Sequence, residues 1–560
     1  MSWKRLTAFF TLLAAVLLGA PQTAEAKFVF PHNHPDLEWY SIETEHFVVH
    51  YPMSKRDKDD PHYLETEFSA RKTAQVAEDM WAPMCEQFNY FLKERVHIVL
   101  LNQSDYLEGF TIPAWDWIQV STNPGSYFYR MRGRMEWISD VMVHEFAHVV
   151  SLKANGPLAE GAQGVELGGL YRDGIRDTAT GASMYIMDTD PFYWTEGGAE
   201  YWSDEANWNW WTAARDMNIR MTVLDERLLT YDQWQTRAQA FDWGGGERGY
   251  QQGYSFALYL RQRFGPKTYT QMAIEGGKRW RMDWNTIVED VTGVDAETLY
   301  HDWVAFLQDV YGKQVDAIRA EGEVVGREVL PEKGDWDYSD PSGRDEWNAK
   351  PEKDRTRARE RTGTWMIEPR VDAESGLIGI NNRGAVVVQP MDESIFEPFT
   401  GKYATNSEKL EAIGRQTAML RGEFMHGWDL VPGKQQIVTT GTEHMMDSTF
   451  TKWTGIRHEG DGYNWKQLWV HDIVEREDKV KGRKFNTWST DRMFNGKAKT
   501  VKGASRAIPN TLRGQDPAVS PDGSKIAYLQ YSDGTLNLAT INFDGTEKTL
   551  LTDFDEGTEG

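Results

Sequence analysis

Ten residues, Val141-Met-Val-His-Glu-Phe-Ala-His-Val-Val150, constrain this chain more than any other stretch. They read H-E-x-x-H inside an apolar, helix-compatible run. On an α-helix His144 and His148 stand one turn apart on the same face, roughly 6 Å along the axis, so both imidazoles can reach one metal ion. Glu145 projects beside them, where it can take a proton from a metal-bound water. The plain alternative is a helix that carries two ordinary surface or core histidines.

What surrounds the motif narrows the choice. At 560 residues the chain is too long for one ordinary core, and two or three domains are expected. The formal net charge of −24 counts against nucleic acid and anionic membranes as main partners, since both would repel it. Trp208, Trp210 and Trp211 could stack on sugars or peptides, but large aromatics are more often core or interface anchors, and we read them so. Lys4 and Arg5, the apolar stretch Leu6 to Ala20, and Ala24-Glu25-Ala26 form a cleavable secretory signal, with cleavage expected after Ala26. No later stretch suits a membrane helix. Cys85 is the single cysteine, so no intrachain disulfide can brace the fold. These features predict a soluble periplasmic or secreted protein.

Along the chain, alternation over Glu38 to Tyr51 predicts a β-hairpin, and His62 to Leu92 has helical periodicity. Val96–Leu101 and Trp117–Ser121 read as strands, with the motif helix following from near Met135. Strands crossed by a long helix and then the motif helix make an α+β layout. Residues 153–190 are Gly-rich, either a lid or substrate wall or a mere tether. From Pro191 to about Ala320 the pattern is mainly helical. Gly334 to Thr364 is a solvated linker, and β patterns dominate beyond it, at Leu377–Ile380, Ala385–Val388, Gln436–Thr440 and Leu468–Ile473. The clearest unit comes last, where three short strands are joined by Pro-Asp-Gly, Ser-Asp-Gly and Phe-Asp-Gly turns between Asp516 and Gly545. Its Asp-Pro-x-x-Ser-Pro-Asp-Gly-x-x-Ile-Ala-Tyr run resembles the repeats of TolB-type β-propellers. A ring needs at least about four blades. Roughly three can be counted before Gly560, so either degenerate blades close the ring or the chain is a fragment, and the fragment is the expectation.

Two histidines leave zinc under-coordinated, so a third protein ligand is needed beside an open position. The metzincin solution is excluded, because Ser151 and Ala154 stand where its Gly and third His would be. Trp194-Thr-Glu196-Gly-Gly-Ala-Glu200-Tyr201 resembles the W-x-x-E-G-x-A element of gluzincins, the class of thermolysin and the aminopeptidase-N family, one residue short between Trp and Glu. That resemblance implies Glu196 as third ligand. Glu200, one turn on, would orient a histidine or be a plain surface carboxylate. Asp204 and Glu205 read as solvated. Tyr250-Gln-Gln-Gly253-Tyr-Ser-Phe-Ala-Leu-Tyr-Leu-Arg-Gln262-Arg-Phe-Gly265 resembles the Y-x-x-G…Y-L-x-Q-x-x-G helix of the aminopeptidase-N family, which implies Tyr250 as hydrogen-bond donor to the oxyanion. The Gly-x-Met-Glu-Asn strand that holds a free amino terminus in that family has no counterpart before His144.

As a whole the chain resembles exported bacterial proteins that join an aminopeptidase-N-like "peptidase MA" domain to a TolB-like propeller. The resemblance implies a multidomain fold, an α+β gluzincin-type (thermolysin-like) metallopeptidase domain followed by an all-β propeller. Expected boundaries are 1–26 for the signal peptide, 27–325 for the zinc metallopeptidase domain, 326–368 for the charged linker and 369–560 for the propeller repeats. His144, His148 and Glu196 would hold one Zn²⁺ per chain, with Glu145 and Tyr250 catalytic. The expected activity is hydrolysis of peptide bonds in a peptide or protein substrate, as an endopeptidase rather than an aminopeptidase, the propeller docking substrate or an envelope partner. A non-catalytic periplasmic scaffold with a structural or vestigial zinc site is the alternative. Amide or ester hydrolysis of a non-peptide is a third reading.

Overall fold

The structure, a computed structural model, describes residues 37–103, 105, 109–113, 116–123, 132–133, 136–154, 191–224, 226–235, 246–279, 284–322, 366–382, 385–390, 418–421, 427–442, 465–480, 483–489 and 505–554. The expected signal peptide, nearly all of the Gly-rich 153–190 segment and most of the charged linker lie outside these residues.

The first part is a sheet backed by helices. β1 (Leu37–Glu43) and β2 (Phe47–Ser54) form the expected hairpin, β3 (Val96–Leu101) and β5 (Trp117–Ser121) continue in parallel, and β4 (Gly109–Ile112) closes the edge antiparallel to β5. Phe47, Val49 and Tyr51 alternate toward the core, as do Val96, Ile98 and Leu100, because successive strand side chains face opposite ways. α1 (Glu67–Phe88) lays Ala70, Ala74, Ala77, Met80, Trp81, Met84 and Phe88 on that face. It stops where Asn89 turns left-handed at φ 48, with its N–H returning to the carbonyls of Cys85 and Glu86.

α2 (Trp137–Lys153) is the motif helix. Every residue of it except Asp140 is buried, the pattern of a helix enclosed on all sides. Its start is pinned to the end of β5 by Trp137 Nε1, which donates to the Ser121 carbonyl at 2.6 Å. The chain continues through α3 (Phe192–Glu205), α4 (Ala213–Leu224), α5 (Gly246–Phe264), α6 (Thr268–Lys278), α7 (Trp284–Thr292) and α8 (Ala296–Gly322), of which α3 and α6 pack directly on α2. One continuous core runs from Phe47 to Tyr311 and takes in Trp194, Trp202, Trp234 and Trp303. Of the clustered tryptophans, Trp208 and Trp211 pack against this core, whereas Trp210 is exposed.

α3 and α5 touch backbone to backbone. A Cβ on Gly253 would lie 2.6 Å from the Tyr193 carbonyl oxygen and 2.8 Å from Gly197 Cα, and a Cβ on Gly197 would strike the Gly253 backbone. Only glycine at both positions permits that approach.

The second part is all β. β6 (Met366–Asp372), β7 (Leu377–Asn382), β8 (Ala385–Pro390) and β9 (Ala418–Arg421) form one antiparallel sheet. β10 (Trp428–Leu430), β11 (Gln436–Thr442), β12 (Lys466–Asp472) and β15 (Ser505–Ala507) form a second, and β13 (Val474–Val480) pairs with β14 (Arg483–Ser489). β16 (Gly514–Val519), β17 (Lys525–Ser532), β18 (Thr535–Asn542) and β19 (Thr549–Leu550) make the last sheet, one strand more than the turn pattern alone suggests. The second and last sheets share a core of Val438, Leu468, Val470, Ile526, Tyr528 and Ile541. Among the described residues the sheets close neither a barrel nor a propeller ring.

The two parts are joined by a polar, largely buried seam. Arg513 pairs with Asp105 at 2.6 Å, donates to Asn102 Oδ1 at 2.6 Å, and lies between the rings of Trp465 and Tyr531, 4.8 and 4.2 Å from their centroids. Trp465 Nε1 donates to the Asn102 carbonyl and Tyr531 to Thr122 Oγ1. Asp533, in the β17–β18 turn, accepts from Phe68 N at 2.8 Å and from Ser69 Oγ at 2.6 Å. It caps the start of α1, where Thr66 supplies no side-chain cap of its own. No helix among the described residues is long and apolar enough to cross a membrane.

Candidate metal centre

α2 delivers His144 and His148 one turn apart, their rings 4.8 Å between centroids and nearly perpendicular. α3 delivers Glu196 from 52 residues downstream. The two Nε2 atoms lie 3.1 Å apart, and Glu196 Oε2 lies 3.3 Å from each. All three side chains are buried. A tetrahedral ion with bonds of about 2.0–2.1 Å separates its donors by about 3.3–3.4 Å. This triangle of two imidazole nitrogens and one carboxylate oxygen therefore has the size and chemistry of three corners of a zinc site.

The charge around the triangle favours a cation. Burial disfavours a charged His144, but hydrogen bonds to Glu196 and Glu200 and the nearby charge of Glu145 outweigh it and raise the ring to about 10. Glu145 is buried on α2, beside Gly109 of the edge strand β4. Tyr250, in the first turn of α5, has its ring 5.8 Å from that of His144 and meets Phe192 edge-on at 5.5 Å. The fold thus brings His144, Glu145, His148, Glu196 and Tyr250 into one neighbourhood, from three helices.

Glu200 is no surface carboxylate. Its Oε1 faces His144 Nδ1 at 3.3 Å and is also reached by Arg132 Nη1, while its Oε2 accepts from Arg215 at 2.8 Å and Asn209 at 2.7 Å. Burial opposes its charge, yet the two guanidinium groups hold its carboxyl well below the usual range. Arg132, Arg215, Asn209 and Glu247 carry no motif, and no local signal in the sequence marks them. Asp204 and Glu205 were expected to be solvated. Instead Asp204 accepts a 2.6 Å hydrogen bond from Tyr254, and Glu205 pairs with Arg261 at 2.8 Å. Both contacts face α5, which the α3 sequence by itself does not reveal.

No family model matches the chain, and no curated protein matches it in sequence. Twelve chains of solved structures match. Among them is an aminopeptidase N family protein from Idiomarina loihiensis, 12% identical, with a TM-score of 0.29. The match spans 48% of this chain and 46% of that one, so less than half of that protein's length is covered. At that score the overlap decides nothing about activity.

Proposed function

We propose that this chain is a zinc-dependent endopeptidase of the gluzincin type, with His144, His148 and Glu196 as ligands, exported from the cytoplasm, and with its sheets as blades of a TolB-like propeller. The observation that carries the reading is the donor triangle with edges of 3.1, 3.3 and 3.3 Å, from two residues of one helix turn and one of the next helix.

Zinc held there by His144, His148 and Glu196 would supply Lewis acidity toward a carbonyl and a water nucleophile near neutral pH. Glu145 is the general base, taking the proton of the attacking water and passing it to the leaving amine. Its burial beside β4 shields that transfer from bulk solvent. Tyr250 aims a phenol at the carbonyl oxygen as negative charge builds on it. Glu200, whose Oε1 lies 3.3 Å from His144 Nδ1, would orient that imidazole so that its Nε2 is free to hold the metal. The sequence before His144 holds no counterpart of the Gly-x-Met-Glu-Asn strand that binds a free amino terminus in the aminopeptidase-N family, which favours internal cleavage. The propeller sheets would dock a peptide or protein substrate or an envelope partner.

The test is digestion of a diverse peptide library by the zinc-loaded protein from Lys27 onward, read by mass spectrometry against Glu145→Ala. Internal cuts made by the wild type alone are the expected result, with zinc retained in the variant. Loss of zinc from Glu145→Ala would show that the role given to Glu145 is wrong. A folded, zinc-loaded wild type that cuts nothing would hand the chain to the scaffold reading.

A further inference from the structure

Five side chains close a polar ring behind the site. Arg132 reaches Glu200, Glu200 meets Arg215 at 2.8 Å, and Arg215 donates to Gln251 Oε1 at 3.0 Å. Gln251 donates to Glu247, and Glu247 takes Arg132 through both its oxygens, at 2.9 Å from Nε and 3.2 Å from Nη2. The ring holds two arginines and two glutamates, so its charges balance. It draws on the segment before α2, on α3, on α4 and on α5. The Cζ of Arg132 lies over the Tyr250 ring, 5.3 Å from its centre.

We propose that Arg132 is a positioning residue: it sets the phenol of Tyr250 against the metal ligand His144, by gripping α5 through Glu247 and His144 through Glu200. The proposal rests on the metallopeptidase reading for the role of Tyr250, but its effect on His144 does not depend on turnover. A planar guanidinium does three things here that an ammonium cannot. It forks onto Glu247, it reaches Glu200 with its third nitrogen, and it does both with its central carbon over the Tyr250 ring. Glu200 Oε1 is shared between Arg132 and His144. Shifting Arg132 therefore turns the carboxylate that fixes the imidazole. Burying four charges is costly in solvation, and packing alone would be served as well by apolar groups of similar volume. The ring makes sense as a device for geometry.

The experiment compares zinc affinity, by competition with a chromogenic chelator, and kcat and KM on a cleaved peptide, in the full chain and in Arg132→Gln, Arg132→Lys, Tyr250→Phe and Arg132→Gln/Tyr250→Phe. Arg132→Gln is expected to weaken zinc binding by about 10- to 100-fold, the usual cost of losing a partner that orients a ligand. Its kcat should fall about 100-fold, as for a small misplacement of reacting groups, with KM nearly unchanged. Tyr250→Phe should then cost less in that background than in the wild type, because the phenol is already misplaced. Zinc affinity and kcat both within about twofold of wild type in Arg132→Gln, or fully additive losses with Tyr250→Phe, would overturn the proposal. If circular dichroism shows Arg132→Gln unfolded, Arg132→Lys decides by the same criteria, since it keeps the charge and loses the fork. If the wild type cuts no peptide, the chelator arm still decides. Weakened zinc binding then supports Arg132, and only the peptidase reading falls.

Discussion

His148 and Glu145 are neighbours on one helix turn, yet their loss should have separable consequences. His148 would supply one of the three donor atoms of the proposed site, so His148→Ala should abolish both stoichiometric zinc by elemental analysis and turnover. Tyr250 is no ligand. Tyr250→Phe is expected to retain zinc and lose about 10²- to 10³-fold in kcat, the usual cost of one oxyanion donor. An unchanged kcat would remove Tyr250 from the chemistry. At this scale the sequence was readable wherever the helix period alone sets the geometry, as for His144, Glu145 and His148. The resemblance named Glu196 and Tyr250 through glycine patterns near the starts of two helices, and the structure places both beside the histidines. Arg132 was not readable. Its partners stand 68 and 115 residues away, and nothing in a basic segment such as Arg130-Met-Arg-Gly-Arg134 singles out one arginine.

The glycines that made those motifs recognisable have a structural cause at the scale of helices. Gly197 follows the proposed ligand Glu196 directly, and Gly253 lies one turn beyond Tyr250. At that pair α3 and α5 meet without side chains between them. A methyl at Gly253 must push the helices apart, and overpacking of this kind typically costs about 1–3 kcal/mol. Gly253→Ala is therefore expected to lower the midpoint of thermal unfolding and to weaken zinc binding together, because the Glu196 and Tyr250 helices separate. A lower midpoint with unaltered zinc affinity would mean that the crossing serves packing alone. Longer elements were legible because repeated apolar positions reinforce one another, as in α1 and β3. β4 was missed because four residues, Gly-Phe-Thr-Ile, are too few to display an alternation. Its place at the sheet edge comes from pairing with β5, a tertiary fact.

At the scale of the molecule the seam between the α/β part and the sheets is a set of buried, mutually satisfied polar groups. Arg513 sits in the left-handed region at φ 62, a strained backbone for a side chain of that size, and Asp105 is fully enclosed. Arg513→Ala leaves Asp105 buried without its cation, a change that generally costs about 3–5 kcal/mol. Calorimetry should then resolve two unfolding transitions where the wild type gives one. A single transition at the wild-type temperature would show that the seam carries little energy. None of these pairings could be read beforehand, since Asp105 and Arg513 are 408 residues apart and neither lies in a periodic pattern.

The cap on α1 turns this seam into a matter of time. Asp533 stands 465 residues after Phe68, whose N–H it accepts. At roughly 5–20 residues per second, a ribosome adds Asp533 roughly half a minute to a minute and a half after Phe68. Throughout that interval the first long helix among the described residues has an uncapped first turn, open to chaperones and proteases alike. The first turn of α1 is completed by the turn between β17 and β18, and a nascent chain halted before that turn would carry the unfinished cap for as long as it lasts.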